Sequence, residues 1–230
     1  MRIVGLLLLA LAVGVAAAIA SGRLLVPDRL NPFAPLSVAA EPNLLTVYKL
    51  GRLDGDAPAC HAVLASNGMR YAVQPDRLVE GACGWRDAVR ITATPTPISQ
   101  PLVLECPAAV ALVLWERHSL QPLARRLFRA PVTRIDHLGS FACRNIGGEA
   151  GGRRSEHASA NALDVAGFVL ANGRTVRVAR DWAAEGPAGR FLREAHAGAC
   201  RFWNVVLGPD YNAAHRDHLH LDRGSFRTCR

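Results

Sequence analysis

The 230-residue chain has no Cys-x-x-Cys pair, no internal repeat and no motif for reading nucleic acid. The first absence removes zinc-ribbon and thioredoxin-type readings. The second removes solenoids and propellers. The third, with no basic patch interleaved with aromatics, places nucleic acid last among anionic partners. No serine–histidine–aspartate string supports a serine nucleophile either. Charged residues make up only 20% of the chain against 50% hydrophobic, a globular rather than a disordered balance. Among the cations lysine is nearly absent, so the net charge of +8 rests on arginine. With a pI near 9.8 it points to anionic surroundings, phospholipid headgroups or acidic cell-wall polymer ahead of nucleic acid.

A chain of this length holds one moderate domain or two very small ones. Its N-terminus is an uninterrupted apolar run over residues 3–20, with Arg2 before it and Arg23 shortly after. That exceeds the usual core of a signal peptide and approaches a membrane span. Residues 1–22 therefore read as a signal anchor, or as a signal peptide cleaved after Ala18-Ile19-Ala20; both export the remainder. Six cysteines, Cys60, Cys83, Cys106, Cys143, Cys200 and Cys229, all follow this segment. An even set in the exported part implies up to three disulfides in an oxidising compartment. Six cysteines allow fifteen pairings, and spacing does not choose among them.

Residues 23–43 contain Pro27, Pro32, Pro35 and Pro42 without periodicity, an extended linker leading from the membrane. The folded part, residues 44–230, divides into a first segment, 44–130, and a second, 131–230. In the first, Val63-Leu64, Tyr71-Ala72-Val73 and Val89-Arg90-Ile91 suggest short strands. Residues 106–127 are expected to be helical, with Pro122 a break or kink. In the second, residues 164–170, the turn Ala171-Asn172-Gly173-Arg174 and residues 175–178 spell a hairpin. A helix opens at Pro187 and runs to Cys200, a strand covers 202–207, and Leu219 and Leu221 alternate with His218 and His220 on another. The class is α+β.

The chemistry lies in the second segment. His157 precedes Asp164 by one loop or short helix, so both side chains can meet at one point. His220 arrives from a separate strand, and His218, two residues earlier, shares its face. Two imidazoles and a carboxylate form a three-ligand zinc set with a fourth position for water, a hydrolytic rather than a closed structural site. Such a hydrolase needs a base, and Asp217 and His218 are the two candidates. Histidines 61, 118, 137, 196 and 215 read as surface or structural, Ser155 as the cap of the His157 loop, and Trp115, Trp182 and Trp203 as core.

The string Ser155-x-His157-x-x-Ala160-x-Ala162-x-Asp164 resembles the Ser-x-His-x-x-Gly-x-Ala-x-Asp signature of the zinc D-alanyl-D-alanine carboxypeptidases and dipeptidases. Those are related in fold to the Hedgehog signalling domain. The closing His218-x-His220 is similar to that of penicillin-insensitive murein endopeptidases. Three longer strings more closely resemble the bacterial extensin-like C-terminal domain family. They are Gly139-Ser140-Phe141-Ala142-Cys143-Arg144, Ser155-Glu156-His157-Ala158, and Leu207-Gly208-Pro209-Asp210-Tyr211-Asn212 through His215-Arg216-Asp217-His218-Leu219-His220-Leu221-Asp222. This closer resemblance covers about residues 50–230 and the wider peptidase one about residues 135–222.

The resemblance implies a Hedgehog/DD-peptidase-like domain with a small antiparallel sheet, flanking helices and disulfides. It implies Zn2+ on His157, Asp164 and His220. One peptidase pattern makes Asp217 the base and the other makes it His218. Arg144 stands where related enzymes have an arginine that can hold a substrate carboxylate. Ala160 replaces the signature glycine and could narrow the approach to the metal. The implied function is a zinc-dependent peptidoglycan peptidase acting on stem peptides, anchored in the inner membrane with a periplasmic domain or secreted to the periplasm. The alternative is a non-catalytic, zinc-stabilised module that binds cell wall or protein.

Overall fold

The computed structural model describes residues 2–79 and 83–230. The apolar N-terminal run forms helix α1 (Arg2–Ala20). Its 18-residue stretch Ile3–Ala20 is wholly unburied and long and apolar enough to cross a bilayer, a test that a signal sequence also passes. The proline-bearing stretch that follows is no free tether. From Asp28 onward it lies along the body as a strap, with Ala34, Leu36 and Val38 buried. Lys49 Nζ donates to the Asp28 carbonyl at 2.7 Å, and His118 Nε2 donates to the Val38 carbonyl at 2.7 Å. The prolines keep the strap extended, and the apolar residues between them find the core.

Helix α2 (Leu44–Gly51) opens on a capping box: Asn43 Oδ1 accepts from Leu45 N at 2.8 Å, and Thr46 Oγ1 accepts from Asn43 N at 2.9 Å. Helix α3 (Ala57–Ala65) is capped by Asp56, with Pro58 in its first turn. It absorbs Val63 and Leu64, which had been expected on a strand. The cap and the first-turn proline outweigh one β-branched residue. Strands β1 (Arg70–Val73), β2 (Arg77–Val79), β3 (Cys83–Trp85), β4 (Ala88–Ala93) and β5 (Pro97–Glu105) follow.

Helix α4 (Cys106–Trp115) is apolar on every side and buried on almost every side, the mark of a core helix. It passes through a π-helical turn (Glu116–Leu120) into α5 (Gln121–Phe128). The widened turn lets the chain continue in helical form across Pro122. Next come β6 (Val132–Gly139), β7 (Ala162–Leu170), β8 (Thr175–Arg177), α6 (Val178–Asp181) and α7 (Pro187–Ala199). Strands β9 (Val205–Leu207), β10 (Leu219–Asp222) and β11 (Thr228–Cys229) close the chain. The Asn172-Gly173 hairpin forms as expected, with Gly173 at φ +81°.

Among the described residues the strands form one large sheet in the order β1-β4-β5-β6-β7-β10-β9-β11, with β8 also on β7, and a separate hairpin of β2 and β3. Pairings are antiparallel except β5 with β6 and β9 with β11. Helices α4 and α7 meet in the core, where Trp115 Nε1 donates to the Ala195 carbonyl at 2.8 Å. Trp115, Phe168, Phe191 and Phe128 stack in turn, edge to face. Gly198 permits the close approach of α7 to the π-turn, since a Cβ there would lie 2.6 Å from that of Ser119.

Alternation along two neighbouring strands then positions the site. Leu163 and Val165 of β7, and Leu219 and Leu221 of β10, belong to the core. Asp164 and His220 therefore point to the opposite face. A register shift between Asp136 and His137 of β6, opposite Gly167 and Val165, returns Phe168 and Leu170 to the core farther along. Three disulfides hold the whole: Cys60–Cys106, Cys83–Cys143 and Cys200–Cys229. The fold is mixed α+β with a mostly antiparallel sheet.

Candidate metal centre

Asp164 and His220 are direct cross-strand partners in the β7–β10 register. His157 reaches them from a 3-10 turn (Glu156–Ser159) whose N-cap is Ser155; its Oγ accepts from His157 N at 3.3 Å. Ala160 ends that turn in the left-handed region, at φ +58°, and is fully buried. Its N–H returns to the Glu156 and His157 carbonyls. This is a backbone conformation that favours glycine.

Three atoms converge. His157 Nε2 lies 3.2 Å from Asp164 Oδ1 and 3.2 Å from His220 Nδ1, and His220 Nδ1 lies 3.0 Å from Asp164 Oδ1. The far sides of both rings are fixed. His157 Nδ1 faces the Ser140 carbonyl at 3.1 Å, which can only accept, so that nitrogen carries the hydrogen. His220 Nε2 donates to Asp222 Oδ2 at 2.9 Å, and Asp222 Oδ1 accepts from Gly224 N at 2.8 Å. Neutral rings held in these tautomers aim two lone pairs and a carboxylate oxygen at one point. Such a triangle is repulsive until a cation or a proton occupies it.

The fit to Zn2+ is good by donor type and by size. Two imidazoles and a carboxylate are an ordinary zinc set, and tetrahedral bonds of about 2.0–2.1 Å separate donors by roughly 3.3 Å. Two other groups of histidine, carboxylate and cysteine lie close together, His196–Cys200–Cys229 and His61–Asp87–Cys106. Their sulfurs are consumed in disulfides and offer no thiolate.

The electrostatics carry the same imprint. With a proton in place of an ion at that point, burial works to raise the Asp164 carboxyl, but hydrogen bonds from His157 and His220 then hold it well below the usual carboxylate range. Burial works to lower His220, yet its bonds to Asp164 and Asp222 push the ring up to about 9.

The remaining residues surround this triangle. His218 Nε2 lies 3.5 Å from Asp164 Oδ1, on the same side as His220. Its Nδ1 donates to Asp217 Oδ1 at 2.9 Å, so Asp217 sits behind the ring, half exposed, rather than at the convergence point. His215, assigned from sequence to a structural role, stands beside the site, its ring centre 5.2 Å from that of His218 and 5.7 Å from that of His220. Its Nδ1 is tied to Asn212 Oδ1 at 2.7 Å, and burial, with the neighbouring His220 and His218, pushes it down to about 4. Arg144 is exposed, with no side-chain bond among the described residues, and its charge reaches His215. Its carbonyl accepts from Ser155 N at 3.1 Å, which ties it to the His157 turn.

Two partners of the convergent triangle carry no assignment from sequence. Asp222 was findable, two residues beyond His220 on a strand and hence on the same face. Ser140 contributes a main-chain carbonyl, which no residue type announces.

No curated protein and no solved structure matches the chain. The sequence model of the family described as Extensin-like protein C-terminus matches residues 58–230, from α3 to the last residue and including every residue of the convergent site. The chain belongs to the extensin-like C-terminal family.

Proposed function

We propose that the chain is a zinc-dependent peptidase of the bacterial cell envelope, cleaving peptidoglycan stem peptides on a Hedgehog/DD-peptidase-like domain. The observation that carries this reading is the convergence of His157 Nε2, Asp164 Oδ1 and His220 Nδ1 within 3.0–3.2 Å, with both ring tautomers set from behind. Those three residues would hold the ion. A bound Zn2+ supplies Lewis acidity toward a peptide carbonyl and a water.

The chain's own groups account for the rest. With the hydrogen of its Nδ1 directed at Asp217, His218 turns Nε2 to the site. It is the group placed to take a proton from the attacking water and return it to the leaving amine. Asp217 is then a positioning residue that fixes the tautomer. The exposed guanidinium of Arg144 matches a stem-peptide carboxylate, whose two oxygens suit its fork. An anionic wall polymer agrees with the +8 charge. Export through α1, either as an inner-membrane anchor or as a cleaved signal, agrees with three disulfides and an oxidising periplasm.

The test is incubation of the zinc-loaded full chain with purified muropeptides, products read by mass spectrometry. Cleavage that His218→Ala abolishes, and that Asp217→Asn lowers with a displaced pH profile, is the expected result. A loaded parent that binds muropeptides without cleaving them contradicts the peptidase reading and leaves the non-catalytic binding module.

A further inference from the structure

We infer that the folded domain rests against the anionic membrane surface on one defined face, the outer side of α2 together with the strap before it. This rests on the reading of α1 as a retained anchor.

The tether is short. Helix α1 ends at Ala20, and the body grips the chain again from Asp28, through the Lys49 bond to its carbonyl. Asn43 Nδ2 holds the Arg29 carbonyl at 2.7 Å, and Arg52 Nη1 holds the Pro32 carbonyl at 3.0 Å. Residues 21–27 alone are left to span the gap, at most about 25 Å when fully extended. Strap and α2 therefore stay within reach of the headgroup layer.

That same region exposes large apolar side chains. In α2, Leu44, Val47 and Tyr48 share a face at helical spacing and are 95%, 36% and 51% exposed, while Thr46, Lys49 and Leu50 turn inward. Leu25 of the tether and Leu30 and Phe33 of the strap are likewise exposed. A groove of about 820 Å³ runs beside α2, with Phe202, Arg201 and Arg227 on its other wall. Arg23, Arg29 and Arg52 add exposed positive charge along the same stretch. Two acids share the strap: Glu41, its side chain 87% exposed, lies 3.9 Å from His118, and Asp28 is exposed between Arg23 and Arg29.

Single exposed apolar residues carry no meaning on a protein surface. Six large ones next to a membrane tether, bordered by arginines, are the composition of an interfacial segment. Its apolar side chains enter the boundary layer, and its cations meet anionic headgroups. Docking there would restrict rotation of the domain about its tether and give the metal face a constant orientation to the membrane.

The test reconstitutes the full chain into vesicles of phosphatidylethanolamine and phosphatidylglycerol doped with brominated lipid. A fluorophore is placed at Leu44→Cys or, outside the patch, at Leu138→Cys in β6. Emission at Leu44 is expected to be quenched at least about twofold more than at Leu138, and the excess should vanish in a Val47→Asp, Tyr48→Asp background. Equal quenching at the two positions overturns the proposal. A Leu44 label that is shielded yet insensitive to bromine also overturns it, because a protein partner then covers the face. Flotation separates the two readings: a chain that floats without excess quenching loses only the docking face, and one that fails to float loses the anchor and the docking face together.

Discussion

Replacing Asp222 by asparagine separates the tautomer argument from mere burial of the site. Asp222 accepts twice, from His220 Nε2 at 2.9 Å and from Gly224 N at 2.8 Å, and it is buried. An asparagine side chain has one acceptor oxygen and one donor nitrogen, so it satisfies one neighbour and faces the other with a donor. If the oxygen stays on Gly224, the amide pushes His220 into the Nδ1–H tautomer and places a hydrogen at the convergence point. If the amide flips, the His220 bond survives, but the Gly224 N–H loses its acceptor and the loop that orients Asp222 loosens. Outer-shell changes of this kind cost metal sites about 10–100-fold in affinity. Because the buried amide can satisfy only one of the two neighbours, we expect the upper part of that range, roughly 2–3 kcal/mol. Competition of the full chain with a zinc chelator measures it directly. Zinc affinity within about threefold of the parent, in a variant with a parental circular dichroism spectrum, would refute the assignment of Asp222 as the group that orients His220.

Other consequences can be checked by stability. Burial, aided by Glu156, Asp54 and Asp87 against one backbone bond, pushes Glu105 up to about 7. The folded state then holds this proton more tightly than the unfolded chain. Stability from Glu105 is greatest below about pH 4.5, falls as pH rises toward 7 and stays low above it. Glu105→Gln should remove that slope and raise stability at pH 8 by about 2 kcal/mol, after discounting for partial exposure; urea midpoints at pH 5 and pH 8 that shift equally would contradict this. Ala160→Val, a β-branched residue forced to φ +58° in a closed space, should cost more than about 2 kcal/mol, whereas Ala160→Gly should stay within about 1 kcal/mol of the parent. Serine at both Cys83 and Cys143 opens a loop of 60 residues and should lower stability by about 4 kcal/mol in the chain-entropy picture, read from urea unfolding.

The convergence of His157, Asp164 and His220 was legible because its signals are local. His157 and Asp164 lie on one short string, and His218 and His220 alternate on one strand. Asn172-Gly173 specifies its hairpin for the same reason, and Pro187 marks the start of α7. What escaped is carried by distance. The β5–β6 contact pairs Ile98 with Ile135 across a whole helical layer, and Pro97 and Pro101 mask the strand pattern of β5. The strap looked like a linker because four prolines suppress any periodicity, yet Leu36 and Val38 are buried against helices that come later in the chain. His215 resembled its structural counterparts in the sequence; only the fold brings its ring beside His218 and His220. Disulfide pairing depends on that same long-range geometry, and spacing alone is silent about it.

If His157, Asp164 and His220 hold a metal ion, the purified protein carries it. Elemental mass spectrometry of the purified full chain, beside a His157→Ala, His220→Ala variant, tests it most directly. About one zinc per chain, lost in the variant, is the predicted result. A parent that carries no metal even after incubation with zinc, while remaining folded, would contradict the account.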